Sequence, residues 1–196
     1  MTKSSLKYSG KHIILLLLYS TGSSDQVNES ISGRTRLMKM LFLFDKEIRK
    51  AFERDVGLEI IDFPVFEPWH YGPFSKQVFD DLEFLVNNEC VEIMDGTDSA
   101  PEETIEELRN WIQDYLFEDE FEELTTFTIE ESFRLTKKGI EKIKCHYDSL
   151  SKNQQAIITK FKHDMMKASL RSILRYTYVK YPEYAINSKV KRDIIG

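Results

Sequence analysis

Residues 74–94 read Phe74-Ser75-Lys76-Gln77-Val78-Phe79-Asp80-Asp81-Leu82-Glu83-Phe84-Leu85-Val86-Asn87-Asn88-Glu89-Cys90-Val91-Glu92-Ile93-Met94. Phe74, Val78, Leu82, Leu85 and Val86 recur at spacings of three and four, which predicts a helix with one apolar face. Cys90 to Met94 then alternates weakly and reads as a strand, closed by Asp95-Gly96. Two helices are expected before this helix, and a second strand, Phe133–Leu135, is expected to pair with Cys90–Met94. Three helices followed by a short antiparallel ribbon is the order of a winged helix, a member of the helix-turn-helix class.

Upstream, Lys11 to Ser20 reads as a short central helix ended by the turn residues Thr21-Gly22-Ser23-Ser24-Asp25. Ser32 is placed to cap a second helix, in which Leu37, Met40, Leu41, Phe44 and Ile48 form one buried stripe running to about Phe52. Asp45 and Arg49 fall one turn apart on another face, where an ion pair is available. Glu59 to Phe66 is extended, with Pro64 confining it to an edge at best. Pro68-Trp69-His70-Tyr71-Gly72-Pro73 is a rigid aromatic turn: Gly72 is pushed away from helical angles by the following proline, and Pro73 is expected to open the next helix.

Downstream, residues 97–125 read as an acidic insertion at the wing tip, with Ser99 and Glu102 as a capping box and Ile105, Leu108, Ile112 and Tyr115 as one apolar face. Thr125 to Ile129 is β-branched enough for a further strand. Thr136-Lys137-Lys138-Gly139 begins another helix, and a long helix is expected from Lys152 until Tyr181-Pro182 breaks it. The expected fold is therefore mainly α (α+β). A winged helix-turn-helix-like domain with a small antiparallel β wing covers 1–150, and a C-terminal helical extension covers 151–196, its long helix suited to homodimer formation.

The chain has 196 residues and a net charge of −6. That mild figure hides a partition of +3 over residues 1–60, −18 over 61–130 and +9 over 131–196. Cys90 and Cys145 form neither a disulfide framework nor a zinc site, and a reducing cytoplasm is the simplest fit. The longest apolar run, Ile13 to Tyr19, is far short of the roughly 20 residues that cross a bilayer, so no membrane partner is expected. There is no Gly-rich phosphate loop, no G-x-S-x-G and no H-E-x-x-H, and acidic residues 97–123 lack a calcium-loop pattern. Neither a catalytic site, a metal nor a cofactor is expected. Cys145 and His146 are adjacent and make a poor chelate, Cys145 reading as packing and His146 as surface.

Gly33-Arg34-Thr35-Arg36-Leu37-Met38-Lys39-Met40-Leu41-Phe42-Leu43-Phe44, followed after a spacer by Trp69-His70-Tyr71-Gly72-Pro73-Phe74-Ser75, resembles the SocA-like or Panacea antitoxin domain and the related YwgA-like bacterial proteins. In those, an L-x-K-h-h-Y/F helix precedes a Y-G-P turn that opens the next helix. Phe133-Arg134-Leu135-Thr136-Lys137-Lys138-Gly139 is similar to the segment that closes the wing in many winged helices. The resemblance covers roughly 10–148 without the insertion, from which the long acidic segment and the Tyr-rich C-terminal helix depart. It implies a regulatory or antitoxin-like module acting by contact with a protein, such as a toxin. Lys39, Trp69, His70, Tyr71, Gly72 and Pro73 are the candidate contact residues, against a structural reading in which Lys39 is a snorkelling surface lysine and the turn only aims the next helix.

The alternative is a winged-helix transcriptional regulator that binds DNA through its third helix. Ser75, Lys76 and Gln77 in its first turn, Arg34 and Arg36, and Lys137 and Lys138 in the wing are the candidate nucleic-acid contacts. The helix itself argues against this, since Lys76 faces Asp80, Asp81, Glu83 and Glu89. Fourteen acidic residues from Asp95 to Glu131 offer a docking face for a basic partner or a solvated surface. Tyr176, Tyr178, Tyr181 and Tyr184 beside Arg171, Arg175 and Lys180 suit either a packed, dimer-forming helix or stacking on single-stranded nucleic acid.

Overall fold

The computed structural model describes residues 6–54, 58–95 and 131–195. The expected acidic insertion 97–125 and the strand expected over Thr125–Ile129 lie outside the described residues. Among the described residues the chain is mainly helical, with three small sheets.

The sheets follow from the apolar runs. Strand β1 (Leu6–Tyr8) pairs in parallel with β3 (Leu58–Ile60). β2 (Ile31–Ser32), β7 (Glu131–Leu135) and β6 (Val91–Asp95) form an antiparallel sheet in the order β2-β7-β6, with Ile93 opposite Phe133. The predicted pairing of the 90–94 strand with Phe133–Leu135 is therefore present. β4 (Glu67–Trp69) and β5 (Gly72–Phe74) make a hairpin.

Helix α1 (Gly10–Tyr19) buries Ile13 through Leu18 without a gap, as a central helix must. Its C-terminal end is closed from another part of the chain. Lys162 Nζ donates to the carbonyls of Leu18, Ser20 and Glu29 at 3.0, 2.8 and 2.7 Å. These three bonds account for the three donors of an ammonium that is itself buried.

Several sequence expectations need correction. Ser32 does not cap α2 (Arg34–Leu43): it pairs with Ser132 in the sheet, and Gly33, at φ 87°, holds the N-cap position. That helix also buries every residue from Leu37 to Leu43, because β2, β5 and the C-terminal helices enclose it on several sides. It continues through a π-helical turn (Phe44–Ile48) into α3 (Arg49–Arg54), and the predicted Asp45–Arg49 pair forms at 3.1 Å. Pro73 does not open the next helix. Phe74 is paired with Glu67, so α4 (Lys76–Asn87) starts only after Ser75.

The predicted long helix is two helices. α6 (Lys152–Lys167) ends where Ala168 turns extended, and Ser169 caps α7 (Leu170–Lys180) by accepting from the Ser172 amide. Lastly, Cys145 is exposed, whereas His146 is half-buried with its ring edge-on to Tyr8 and His12, the reverse of the expected assignment.

α5 (Lys137–Ser149) follows β7 directly. Thr136 caps it through the Gly139 amide at 3.1 Å and donates its own hydroxyl to the Glu89 carbonyl. One core joins α1, α2, α4, the sheets, α5, Ile158, Phe161 and Met165 of α6, and Ile173 of α7. A smaller cluster joins Leu170, Leu174 and Tyr178 to Ala185, Val190 and Ile194, the last lying in α8 (Lys191–Ile195). No helix among the described residues is long and apolar enough to cross a membrane.

Candidate functional site: the aromatic hairpin

The aromatic turn Pro68–Pro73 forms the tip of the β4–β5 hairpin, with His70-Tyr71 as its two-residue connection, and each of its sides is fastened to a different part of the fold. Gly72 sits at φ +83°, and a Cβ there would lie 2.6 Å from Cε1 of Tyr178. Only glycine combines that backbone angle with such a close approach. Tyr178 is fully buried, and burial pushes its hydroxyl up to about 12. That hydroxyl accepts from Ser188 Oγ at 2.9 Å.

On the β5 side, Lys39 Nζ donates to the Pro73 carbonyl at 2.8 Å. Lys39 is buried, so the reading of it as a surface or contact lysine is corrected: it lies beneath the hairpin. On the β4 side, the Pro68 carbonyl accepts from Asn187 Nδ2 at 3.2 Å and the His70 carbonyl from the Lys189 amide at 3.0 Å. Pro68 and Pro73 contribute no amide hydrogens. A partner strand therefore finds little edge to pair with, and recognition at this hairpin falls to side chains.

Those side chains alternate outward along the strand: Val65, Glu67 and Trp69 are exposed, Phe66 is buried. Val65 is 82% exposed and Trp69 41%. The Trp69 ring stacks on His70, with centroids 5.0 Å apart, and on Phe74 at 5.8 Å; Phe74 in turn meets Phe79 at 5.6 Å. Arg34 closes this row of rings, its guanidinium carbon 5.8 Å from the Phe79 centroid and its Nε 2.7 Å from Glu131. Packed rings of this kind keep Trp69 in place with a broad apolar surface still open to solvent.

The structure thus gathers Trp69, His70, Tyr71, Gly72 and Pro73 in one hairpin, with Lys39 as its support. The nucleic-acid candidates are dispersed and mostly engaged. Arg36 is drawn inward, donating to the carbonyls of Met165 and Ala168 at 2.5 and 2.7 Å, where it closes the end of α6. Ser75 is buried, Lys76 pairs with Asp80 at 2.8 Å, Gln77 bonds to Asp62, and Lys138 pairs with Glu89 at 3.1 Å. Lys137 is exposed. Of the C-terminal tyrosines, Tyr181 and Tyr184 pack edge-on against Phe42, and Tyr176 donates to Glu47.

Sequence reading missed Tyr178, Phe79 and the 187–189 segment as parts of the site. Tyr178 reads as one of a row of C-terminal tyrosines, Phe79 as a helix residue beside the apolar stripe and 187–189 as a polar tail, and no such pattern says which remote turn a side chain will meet. No group of three His, Cys, Asp or Glu side chains among the described residues is placed to hold a metal ion. No protein-family model and no characterised protein matches the sequence.

Proposed function

We propose that this protein is a non-enzymatic regulatory module of antitoxin type that acts by protein contact, with the β4–β5 hairpin as its contact surface. The observation that carries this reading is Trp69, open to solvent on a hairpin held by Lys39, Tyr178 and the 187–189 segment. A preorganised tryptophan loses little conformational freedom on binding, and such residues dominate the energetics of protein interfaces. Val65 extends the same face.

A winged-helix-like framework for this hairpin is supported by the order α2, α4, then the antiparallel pair β6–β7, with β2 as a third strand. A DNA-binding regulator on that framework is less well supported, because Arg34, Arg36, Lys76 and Lys138 are committed to partners within the chain.

The test is partner capture from the source cells, followed by titration of the identified protein against purified variants. Trp69→Ser is expected to weaken binding at least tenfold with the fold unchanged, while Lys76→Glu leaves it intact. Unchanged affinity in Trp69→Ser removes the hairpin from this role. Duplex binding lost on Lys76→Glu favours the regulator instead.

A further inference from the structure

The basic groups expected at a winged-helix DNA interface are mostly paired, but a C-terminal set, which includes the Arg171 and Arg175 also singled out in the sequence, is not in ion pairs among the described residues. Arg171 and Arg175 stand one turn apart on the exposed side of α7. Helix α8 lies against them: Leu170 and Leu174 share a buried cluster with Val190 and Ile194, and Arg171 Nη2 donates to the Asp193 carbonyl at 3.1 Å. That contact seats α8 on α7, and Lys191 and Arg192, the first two residues of α8, are exposed. Among the described residues, Arg175, Lys191 and Arg192 enter no ion pair. The acidic side chain in this group is Asp193.

We infer that the α7–α8 face, made by Arg171, Arg175, Lys191 and Arg192, is a contact surface for the phosphate backbone of duplex nucleic acid. Three features select that partner. First, the face is charged without an aromatic platform: Tyr178 is buried under Gly72, Tyr181 and Tyr184 pack on Phe42, and Tyr176 is turned to Glu47. Single strands, which need bases to stack, gain little here. Second, the apolar residues of α8 and the turn before it are taken up in the α7 contact, Val190 and Ile194 buried and Ile195 half-buried against the same cluster, so α8 offers little apolar face to insert into a lipid surface. Third, a duplex presents about one negative charge per 1.7 Å, a dense line of charge that attracts cations carried on two adjoining helices.

Along the chain the overall charge of −6 divides unevenly: residues 61–130 carry −18 and residues 131–196, which include this face, carry +9. At physiological salt a charge is felt over about 8 Å. The inference is independent of the hairpin proposal, although the two surfaces adjoin through the Lys189 amide and the His70 carbonyl.

The experiment is fluorescence anisotropy of the full chain with a mixed-sequence 20-base-pair duplex across a salt series, with oligo(dT) and anionic phosphatidylserine vesicles as parallel probes. With three to four phosphates contacted, log affinity should fall against log salt with a slope of about −3 to −4. Arg175→Glu/Lys191→Glu/Arg192→Glu should weaken duplex binding at least tenfold with an unchanged circular-dichroism melt. Lys76→Glu/Lys137→Glu, on the α4 and wing side, should not. If the triple variant is unstable, Arg175→Gln/Lys191→Gln replaces it, with the slope reduced by about two. Absence of wild-type binding at low salt overturns the inference. So does equal loss in the α4 and wing variant, or tighter binding to oligo(dT) or to vesicles.

Discussion

Lys39 Nζ donates to the Pro73 carbonyl at 2.8 Å from a side chain only 3% exposed, so the hairpin that presents Trp69 rests on a buried amine. The L-x-K-h-h-F helix and the Y-G-P turn, separated by about 30 residues of chain, are thereby one physical unit. Burial pushes the Lys39 amine down to about 7. In the unfolded chain it titrates near 10.4. Between those values the unfolded state holds a proton that the native state lacks, so stability rises with pH from about 7 to about 10 and is flat below 7. Lys162, pushed down to about 7 by burial and held up in part by Glu29, adds in the same direction. Lys39→Met should reduce the slope without abolishing it. At pH 6 the variant should match or exceed wild type by up to about 2 kcal/mol, relief of a buried charge being offset by the unsatisfied Pro73 carbonyl. Urea unfolding at pH 6, 7.5 and 9 measures this; an unaltered slope in the variant refutes it.

Gly72→Ala tests the hairpin from its other side. The new methyl would fall 2.6 Å from the buried Tyr178 ring, at a φ of +83° that costs a non-glycine residue about 1 kcal/mol. Tyr178 cannot withdraw, since its hydroxyl is bonded to Ser188 and its ring is packed in the C-terminal cluster. The expected loss is about 2–4 kcal/mol, seen as a lower denaturant midpoint. Partner binding should fall with it, because the ring array of Trp69 and Phe74 is built on the same backbone. A midpoint within experimental error of wild type would show that the Tyr178 contact is not a close one.

How far the sequence foretold these contacts depended on range. Local signals were dependable: the Asp45–Arg49 pair, the helix that begins at Thr136-Lys137 and the 90–94 strand all appear where the local pattern placed them. Those readings need only neighbours within a turn or a ladder. Failures arose where a distant segment outbid a local preference. Ser32 is a good N-cap residue, but strand β7 takes it into the sheet. Pro73 suits a helix start, but β4 holds it in a strand. Lys39 reads as a surface lysine because nothing local announces that β5 will lie over it. The single helix expected after Lys152 breaks at Ala168, where Arg36, more than a hundred residues away, binds the freed carbonyls.

That last contact yields its own prediction. Arg36 is drawn inward and donates to Met165 and Ala168, fastening α2 to the α6–α7 junction. Two hydrogen bonds from a charged donor, with the carbonyls left bare on its removal, make Arg36→Met cost about 2–4 kcal/mol. Arg36→Lys should recover only part of this, since one ammonium cannot reproduce the forked geometry of the guanidinium. Thermal melts of the three proteins decide the matter. If Arg36→Met melts as wild type does, Arg36 is not a structural clasp.

The remaining prediction concerns acid. His12 Nδ1 accepts the Ser9 amide hydrogen at 3.1 Å, completing a capping box at the start of α1. That bond requires a neutral imidazole with its proton on Nε2. The ring lies edge-on to Tyr8 and His146 at 5.5 and 5.3 Å. Burial, followed by His146 and Lys11, holds its pKa below the ordinary histidine value. Protonation would also set a cation at the positive end of α1. Because the folded value lies below the unfolded one near 6.5, the unfolded state binds more protons in the interval between them, and stability must fall as pH drops through 6.5 toward the folded value. His12→Gln supplies a capping acceptor that does not titrate. It should flatten the wild-type loss between pH 7 and pH 5 while leaving the pH 7 melting temperature within a few degrees, a shift of less than about 1 kcal/mol. Parallel acid slopes in the two proteins would mean that His12 does not drive the loss.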